Sequence, residues 1–341
     1  MLIITIWISN NSLRKNFLIF TGAFALLATL SVYGYIAREK RLRVKEIGNW
    51  EILRNYIPFR DKSKVAKLDS ESTLKFTDNL PSLDGATELL PVYSAFYQAT
   101  YPQVDTNVHS SNSIIQCNNT RKAYPRLLKG KVDLIFVAAP SKEQLNAFKE
   151  NGIELVLQPI GKEAFVFFVN KSNKINSLPL EQIKRIYSGK IKNWKEVGGI
   201  SKEIKAYQRA DGSGSQSALE RLMEDTTIEK PDTEKKVGGM MEIINTVAAY
   251  RNTSSSLGFT FRFYSLGMIK EQNIKYLAIN GIESNFENVS NDTYPITNEF
   301  YAVTTKDKLE SNPNIQKLID WILAIEGQFL IEKTGYASLK K

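Results

Sequence analysis

Residues 208–217 read QRADGSGSQS and lie between a predicted short strand, residues 203–207 (EIKAY), and a predicted helix over residues 218–223 (ALERLM). The two glycines allow the backbone to turn tightly and to bring its N–H groups close to a ligand. The start of a helix adds unpaired N–H groups and partial positive charge. This stretch therefore predicts an anion-binding loop, and its expected donors are Arg209, Ser213, Ser215 and Gln216.

The same loop also has simpler interpretations. Asp211-Gly212 can be a plain turn, and Ser215 can cap a helix without binding a ligand. No lysine follows the glycines, as a nucleotide-binding phosphate loop requires, which excludes a nucleoside triphosphate site. A serine hydrolase is disfavoured because GSGSQ is not GxSxG and the only histidine is His109. A serine–lysine pair stays open, although no motif marks one, and we predict a binding protein without catalytic residues.

The composition is that of an ordinary globular protein, and 341 residues suffice for two domains. The net charge of +9 is compatible with nucleic acid, an anionic membrane or small anions as partners. No run of Lys and Arg with interleaved aromatic residues occurs in the body of the chain, so we predict no nucleic-acid partner. One cysteine (Cys117) and one histidine exclude an intramolecular disulfide and a Cys/His zinc site, and we predict neither a metal nor a cofactor.

An apolar run without charged residues, FLIFTGAFALLATLSVYGYIA, occupies residues 17–37. Its length of about 20 residues fits a helix that spans a bilayer. A cleaved secretory signal is the alternative, but the final residues YIA are not a small-x-small cleavage site, and VYG at residues 32–34 matches one only weakly. We therefore predict that residues 1–37 are an N-terminal membrane anchor or an uncleaved signal. Basic residues on both sides of the run leave its orientation open.

Residues 38–75 are charged, mixed in composition and include Pro58, which predicts a stalk or linker. From Phe76 onward predicted strands and helices alternate, and this alternation indicates an α/β fold. The predicted strands include residues 132–138 (VDLIFVA), residues 154–157 (ELVL) and residues 164–170 (AFVFFVN).

Two further loops open predicted helices. GAT at residues 85–87 precedes a helix over residues 88–100, and NNT at residues 118–120 precedes one over residues 122–129. Each loop taken alone can be a plain turn between a strand and a helix. Residues 223–239, by contrast, are polar and predict mainly loop.

Motifs in this order resemble the phosphate-binding proteins of ABC importers, above all their membrane-anchored bacterial relatives. They run from about Pro81 to Ala337 and include DGATELLPVYSAFYQATYP, QPIGKEAFVFFVN, IYSGKIKNW, QRADGSGSQSALERLM, LGFTFRFY and YPITNEFYAV. The resemblance implies a type II periplasmic-binding-protein fold, in which two α/β lobes are joined by two crossings and hold the ligand in the cleft. Residues 76–164 plus 263–341 would form lobe 1, and residues 165–262 would form lobe 2.

The resemblance also implies where the ligand binds. In the family, phosphate is held by the loop that contains Gly85-Ala86-Thr87 here, by a hydroxyl residue that opens the next helix, and by the Arg-plus-Gly-Ser loop. Neutral amides and hydroxyls dominate such a site, and one arginine adds charge and bidentate geometry. The implied ligand-binding residues are Ala86, Thr87, Asn119, Thr120, Arg209, Ser213, Gly214, Ser215 and Gln216.

Two positions depart from the family pattern. Many relatives have serine where this chain has Ala86. The family cleft also commonly has an aspartate after the VD strand, whereas residues 136–140 read FVAAP here. A carboxylate only accepts hydrogen bonds, so it selects protonated oxyanions and repels fully ionised ones. The sequence therefore predicts a cleft without a carboxylate near Ala138 and leaves the discrimination between phosphate and sulfate open.

We expect a solute-binding protein at the cytoplasmic membrane, with its body on the extracytoplasmic side, in the periplasm or at the cell surface. It would capture inorganic phosphate or a similar oxyanion for ABC-type uptake. The resemblance implies ABC permease subunits as partners, and the receptor is expected to be a monomer. The alternative is a membrane-anchored anion sensor or surface protein that has lost the transport role, which an uncleaved helix and a long stalk would suit.

Overall fold

The computed structural model describes residues 11–42, 49–104, 107–249, 254–270 and 273–339. The chain divides into two compact units, Met1–Glu46 and Ile47–Lys341. The described part of the first unit is helix α1 (Asn11–Leu42), and its segment Lys15–Gly34 is long and apolar enough to cross a membrane. A signal sequence would have the same length and composition, so α1 fits both the predicted anchor and the predicted signal.

The second unit, called the body here, is built on a seven-stranded mixed sheet and two small strand pairs. The large sheet has the order β1-β2-β11-β3-β8-β5, and β9 also pairs with β3; the small pairs are β4 with β10 and β6 with β7. The strands are β1 (Leu83–Gly85), β2 (Leu134–Ala138), β3 (Leu155–Asn170), β4 (Ser177–Leu178), β5 (Lys205–Ala206), β6 (Gln208–Arg209), β7 (Lys236–Val237), β8 (Ser256–Phe261), β9 (Ile274–Tyr276), β10 (Ala278–Ile279) and β11 (Thr297–Thr305).

Helices cover this sheet and supply the loops that matter below. The α-helices of the body are α2 (Asn49–Leu53), α3 (Leu90–Thr100), α4 (Thr120–Leu128), α5 (Lys142–Glu150), α6 (Leu180–Tyr187), α7 (Gly214–Met223), α8 (Met240–Ala248), α9 (Phe286–Ser290), α10 (Lys306–Ser311), α11 (Pro313–Leu323) and α12 (Ile325–Thr334). Short 3₁₀ turns occupy Arg54–Tyr56, Thr87–Leu89, Trp194–Val197 and Thr233–Lys235, and a π-helical turn occupies Tyr264–Ile269.

Strand β3 runs through both halves of the body. Up to Ala164 it pairs antiparallel with β11, and from Phe165 it pairs antiparallel with β8. The sequence predicts two separate strands here, over residues 154–157 and 164–170. The structure instead joins them through an irregular register opposite Phe300 and Tyr301, which is where a proline is tolerated in a strand.

Two hydrophobic cores lie on the two sides of the crossing, the point between Ala164 and Phe165 where β3 passes from β11 to β8. One core includes Tyr93, Phe96, Phe136 and Trp321, all of them buried. The other includes Phe165, Phe167, Trp194, Leu257 and Phe259, which are fully buried. The predicted two-lobed α/β architecture is therefore confirmed, while the predicted lobe boundaries stay a prediction.

The predicted stalk differs from what the structure shows. Residues 43–48 lie outside the described residues, but residues 49–75 belong to the body. Leu53, Tyr56 and Val65 are buried in the first core, and the backbone N–H of Phe59 donates to Gln98 Oε1 at 2.9 Å. Burial of apolar surface stabilises a packed state by about 25 cal/mol per Å². Packing these apolar residues against the body is therefore more favourable than exposing them on an extended stalk.

Glu163 lies on β3 immediately before the crossing and is 6% exposed. Its Oε1 accepts a hydrogen bond from the backbone N–H of Phe263 at 3.1 Å, and Phe263 follows the end of β8. Its Oε2 has no hydrogen-bond partner among the described residues. Burial raises the pKa of Glu163 to about 8, against the opposing effect of Arg262. Glu163 therefore links the two segments that connect the halves of the body, and it holds a proton at neutral pH.

Glu163→Gln is expected to flatten the dependence of stability on pH. Between pH 4.5 and about 8 the folded protein keeps a proton that the unfolded chain releases. The contribution of Glu163 to stability is thus full below about pH 4.5 and is lost as the pH rises through about 8. Each pH unit in this window changes the free energy of unfolding by about 1.4 kcal/mol. Thermal unfolding of both proteins across the window, with Glu310→Gln as a surface control, tests this; identical pH profiles for wild type and Glu163→Gln would contradict it.

Candidate functional site

A pocket with a volume of about 130 Å³ lies where several helical segments begin. The first residues of the Thr87–Leu89 turn, α4, α7 and α8 all line it. Helix starts carry unpaired N–H groups and partial positive charge, so their convergence favours an anion. The lining residues are Thr87, Glu88, Asn119, Thr120, Arg121, Arg209, Ala210, Ser213, Gly214, Ser215, Gly238, Gly239, Met240 and Tyr264.

The first wall follows strand β1. A Cβ on Gly85 would lie 2.6 Å from the carbonyl oxygen of Phe136, so only glycine allows β1 to approach β2 this closely. The backbone N–H of Ala86 donates to that carbonyl at 2.8 Å, and Ala86 is fully buried. Thr87 lines the pocket, but Ala86 does not. The structure thus differs from the predicted role of Ala86, because its N–H is already used within the sheet.

The second wall is the start of α4. Asn119 caps this helix with its side chain and has a φ of 64°, a region in which asparagine is enriched. Thr120 is 5% exposed and follows directly. Both line the pocket, as the sequence predicts.

Asp84 connects the first wall to the second. Its buried carboxylate accepts hydrogen bonds from the backbone N–H of Gly85 at 2.8 Å and of Asn118 at 2.9 Å. It also accepts from Asn118 Nδ2 at 3.0 Å and from Arg126 Nε at 2.8 Å. A buried charge is stable when it is paired and hydrogen-bonded in this way. Asp84 therefore fixes the two loops relative to each other without lining the pocket itself.

The third wall is the Gly-Ser loop. Ser213 caps α7, since its Oγ accepts from the backbone N–H of Gln216 at 3.3 Å. A Cβ on Gly214 would lie 3.1 Å from Thr120 Oγ1, so glycine allows the second and third walls to meet. Ser215 Oγ is buried and has no hydrogen-bond partner among the described residues. An unsatisfied buried hydroxyl is costly and is readily explained by a ligand.

Gln216, which we predicted to bind the ligand, does not line the pocket. Its Oε1 accepts from the backbone N–H of Arg209 at 3.0 Å. The side chain is therefore used to hold the strand that carries Arg209. A sequence cannot distinguish these two uses of an amide at the start of a helix.

Arg209 is the buried cation of the pocket and is 6% exposed. Its Nη2 donates to the carbonyl oxygen of Gly238 at 3.3 Å, whereas Nε and Nη1 have no hydrogen-bond partner among the described residues. Burial lowers the pKa of Arg209 to about 10, and Glu88 acts in the opposite direction. Arg209 is therefore charged at neutral pH and presents two unsatisfied donors beside the pocket.

Glu88 corrects the prediction of a cleft without a carboxylate. Its side chain lines the pocket and is 5% exposed. Its Oε1 lies 3.6 Å from the position of a Cβ on Gly214, which the Cβ of Ala138 also approaches, at 3.2 Å. Burial raises the pKa of Glu88, while a backbone hydrogen bond and Arg209 lower it. The carboxylate that is absent after β2 is thus supplied by the neighbouring loop.

The sequence contained a weak signal for Glu88, because this residue follows Thr87 directly. An acidic residue in the first turn of a helix normally complements the helix dipole and needs no ligand to explain it. The pocket residues at 238–240 and Tyr264 were not predicted to bind a ligand. The composition of residues 223–239 indicates a polar loop, and no sequence pattern marks the π-helical turn that begins at Tyr264.

Two hydrogen bonds cross the cleft beside the pocket. Gln144 Nε2, on α5, donates to the carbonyl oxygen of Gly212 at 3.3 Å. Arg221 Nη1, on α7, donates to the carbonyl oxygen of Ala139 at 3.2 Å. These contacts join the Gly-Ser loop and α7 to the opposite side of the pocket.

Comparisons with known proteins agree with this architecture. A family model described as "PBP superfamily domain" matches residues 81–326. Phosphate-binding protein PstS of Staphylococcus saprophyticus is 26% identical over 244 residues, which cover 70% of this chain and 73% of that protein. PstS of Pseudomonas aeruginosa is 23% identical over 275 residues, which cover 76% and 83%.

Solved structures share the fold. A Clostridium perfringens protein crystallised with bound phosphate has a TM-score of 0.57 and 24% identity, and the match covers 76% of this chain and 99% of that chain. An ABC-type phosphate transport receptor from Vibrio cholerae has a TM-score of 0.55 and 19% identity, with 75% and 99% covered. Since the family match spans most of the body and the fold agrees, the chain belongs to the PBP superfamily, and the phosphate-binding protein PstS is among its relatives.

Proposed function

We propose that this protein is an extracytoplasmic solute-binding protein that captures phosphate in the pocket around Arg209 for ABC-type uptake. The observation that carries the proposal is a buried arginine with two unsatisfied donors beside a pocket at which four helical segments begin. An oxyanion would satisfy these donors and the charge together. A neutral ligand would add no negative charge beside this cation to that of Glu88.

Seven of the nine predicted ligand-binding residues line this one pocket. They come from three loops that are far apart in the sequence, so their meeting is a property of the fold. Hydroxyl and backbone N–H donors surround a tetrahedral ion from several sides, which suits binding and release. The seven residues are Thr87, Asn119, Thr120, Arg209, Ser213, Gly214 and Ser215.

Glu88 gives the site a preference for phosphate over sulfate. A hydrogen phosphate ion has an O–H group that can donate to the Glu88 carboxylate, whereas sulfate at neutral pH has only acceptor oxygens. A carboxylate facing sulfate would be left unpaired and repelled. The proximity of Glu88 to Gly214 supports this role, since it places the carboxylate at the third wall.

The relatives support the remaining parts of the proposal. The names of the curated relatives describe phosphate-binding proteins, and the Vibrio cholerae structure is of a transport receptor. These names favour a role in transport over the alternatives of an enzyme, an anion sensor or a surface protein. We infer that ABC permease subunits are the partners, that α1 anchors a monomeric receptor to the cytoplasmic membrane, and that the body faces the extracytoplasmic side.

Calorimetric titration of the full-length protein in detergent tests the function. We expect saturable heat with phosphate at one site per chain. Sulfate should bind at least about 100-fold more weakly, because an unpaired like charge costs several kcal/mol. Absence of heat with both anions would overturn the proposal and would favour an anchored sensor or surface protein with a different ligand.

A further inference from the structure

The turn that precedes α8 is attached to Arg209. Strand β7 pairs with β6 so that Val237 lies opposite Arg209, and the backbone N–H of Ala210 donates to the carbonyl oxygen of Val237 at 3.2 Å. The next carbonyl, of Gly238, accepts from Arg209 Nη2. The turn and the buried cation therefore hold a fixed position relative to each other.

Glu242 fixes the other side of this turn. Its Oε2 accepts hydrogen bonds from the backbone N–H of Gly238 at 2.9 Å and of Gly239 at 3.1 Å. Helix α8 is nine residues long and begins at Met240. The first N–H groups of a helix have no intrahelical partner. Since Glu242 occupies the two N–H groups before the helix, the next donor in the pocket wall is the N–H of Met240.

A ligand at this place is indicated independently by Arg209. Its buried Nε and Nη1 are unsatisfied among the described residues, and Arg209 lines the pocket together with Gly238, Gly239 and Met240. We propose that the start of α8 is a fourth ligand-binding segment, in which the backbone N–H of Met240 donates to the oxyanion held by Arg209 and Glu242 acts as a positioning residue. This proposal rests on the proposed function.

A pair of variants at position 240 isolates this donor. Met240→Pro removes the N–H at the first helical position, where proline is tolerated. The preceding Gly239 has φ −108° and ψ 152°, the extended backbone that a residue before proline requires. Met240→Ala removes the side chain and keeps the N–H. We expect phosphate affinity to fall about tenfold or more in Met240→Pro and less than about twofold in Met240→Ala. Equal affinities of the two variants would overturn the proposal.

Nuclear magnetic resonance of the wild-type protein decides the case even if Met240→Pro does not fold. The chain has five methionines, so selective ¹⁵N-methionine labelling gives few amide signals. The Met240 signal is assigned by its loss in Met240→Ala. It should shift at saturating phosphate, whereas the buried Met223 at the end of α7 should shift much less. An unchanged Met240 signal in a protein that binds phosphate would overturn the fourth segment alone; a wild type that binds no phosphate would overturn the proposed function as well.

Discussion

Arg209→Ala is expected to raise the dissociation constant for phosphate by about 100- to 10,000-fold. Two buried donors of Arg209 have no partner among the described residues, and each charge-assisted hydrogen bond contributes about 1.5–3 kcal/mol. Two such bonds amount to about 3–6 kcal/mol, and each 1.4 kcal/mol is a factor of ten in affinity. Isothermal titration calorimetry of the full-length variant measures the loss.

Two matched variants separate the contributions to this loss. Arg209→Lys keeps a positive charge but not the planar fork, so it should bind phosphate with intermediate affinity. Arg121→Ala removes an exposed arginine from the second wall of the same pocket, and solvent screening limits its effect to roughly fivefold. If Arg209→Ala bound phosphate as tightly as Arg121→Ala, the buried arginine would not be the anion-binding group.

Glu88→Gln is expected to reverse part of the anion selectivity. The carboxamide no longer repels a fully ionised anion, and its N–H₂ group can donate to one. We expect phosphate to bind about tenfold more weakly and sulfate to bind at least about tenfold more tightly, so the ratio of their affinities changes by about 100-fold or more. Paired titrations of both anions at neutral pH give this ratio.

The same variant is also expected to change how sulfate binding depends on pH. Burial raises the pKa of Glu88, so acidification protonates this carboxyl sooner than an exposed one. Sulfate binding by the wild type should therefore strengthen as the pH falls, whereas Glu88→Gln should show no such gain. Glu310→Gln, an exposed surface change, serves as the control. If Glu88→Gln still bound sulfate as weakly as the wild type does, a group other than Glu88 would be responsible for the discrimination between the two anions.

The parts of the fold that follow from local pattern could be predicted. The apolar runs that became β2 and the second half of β3 indicated buried strands, because continuous apolar segments are typical of strands covered on both faces. The Gly-Ser loop indicated an anion site, because glycine, a capping serine and a helix start act through their own backbone. Ser213 and Gly214 line the pocket for these local reasons.

The parts that depend on distant contacts could not be predicted. Glu88 became a pocket residue only because β1 lies beside β2 and the loop after β1 meets the Gly-Ser loop, where Glu88 Oε1 lies 3.6 Å from the position of a Cβ on Gly214. The start of α8 reached the pocket because β7 pairs with β6, and two-residue strands give almost no sequence signal. The segment 49–75 was interpreted as a stalk because of Pro58 and the polar run over residues 60–72, although Leu53 and Tyr56 are buried.

Asp84 has a consequence for the kinetics of capture. Because its carboxylate holds the first two walls together during folding, an arriving anion does not have to order these loops. Conformational entropy that is lost on folding is not lost again on binding, and such preorganisation raises affinity without adding contacts. Encounter with phosphate would then depend on diffusion and charge. The lifetime of the complex would depend on how often the hydrogen bonds from Gln144 to Gly212 and from Arg221 to Ala139 break.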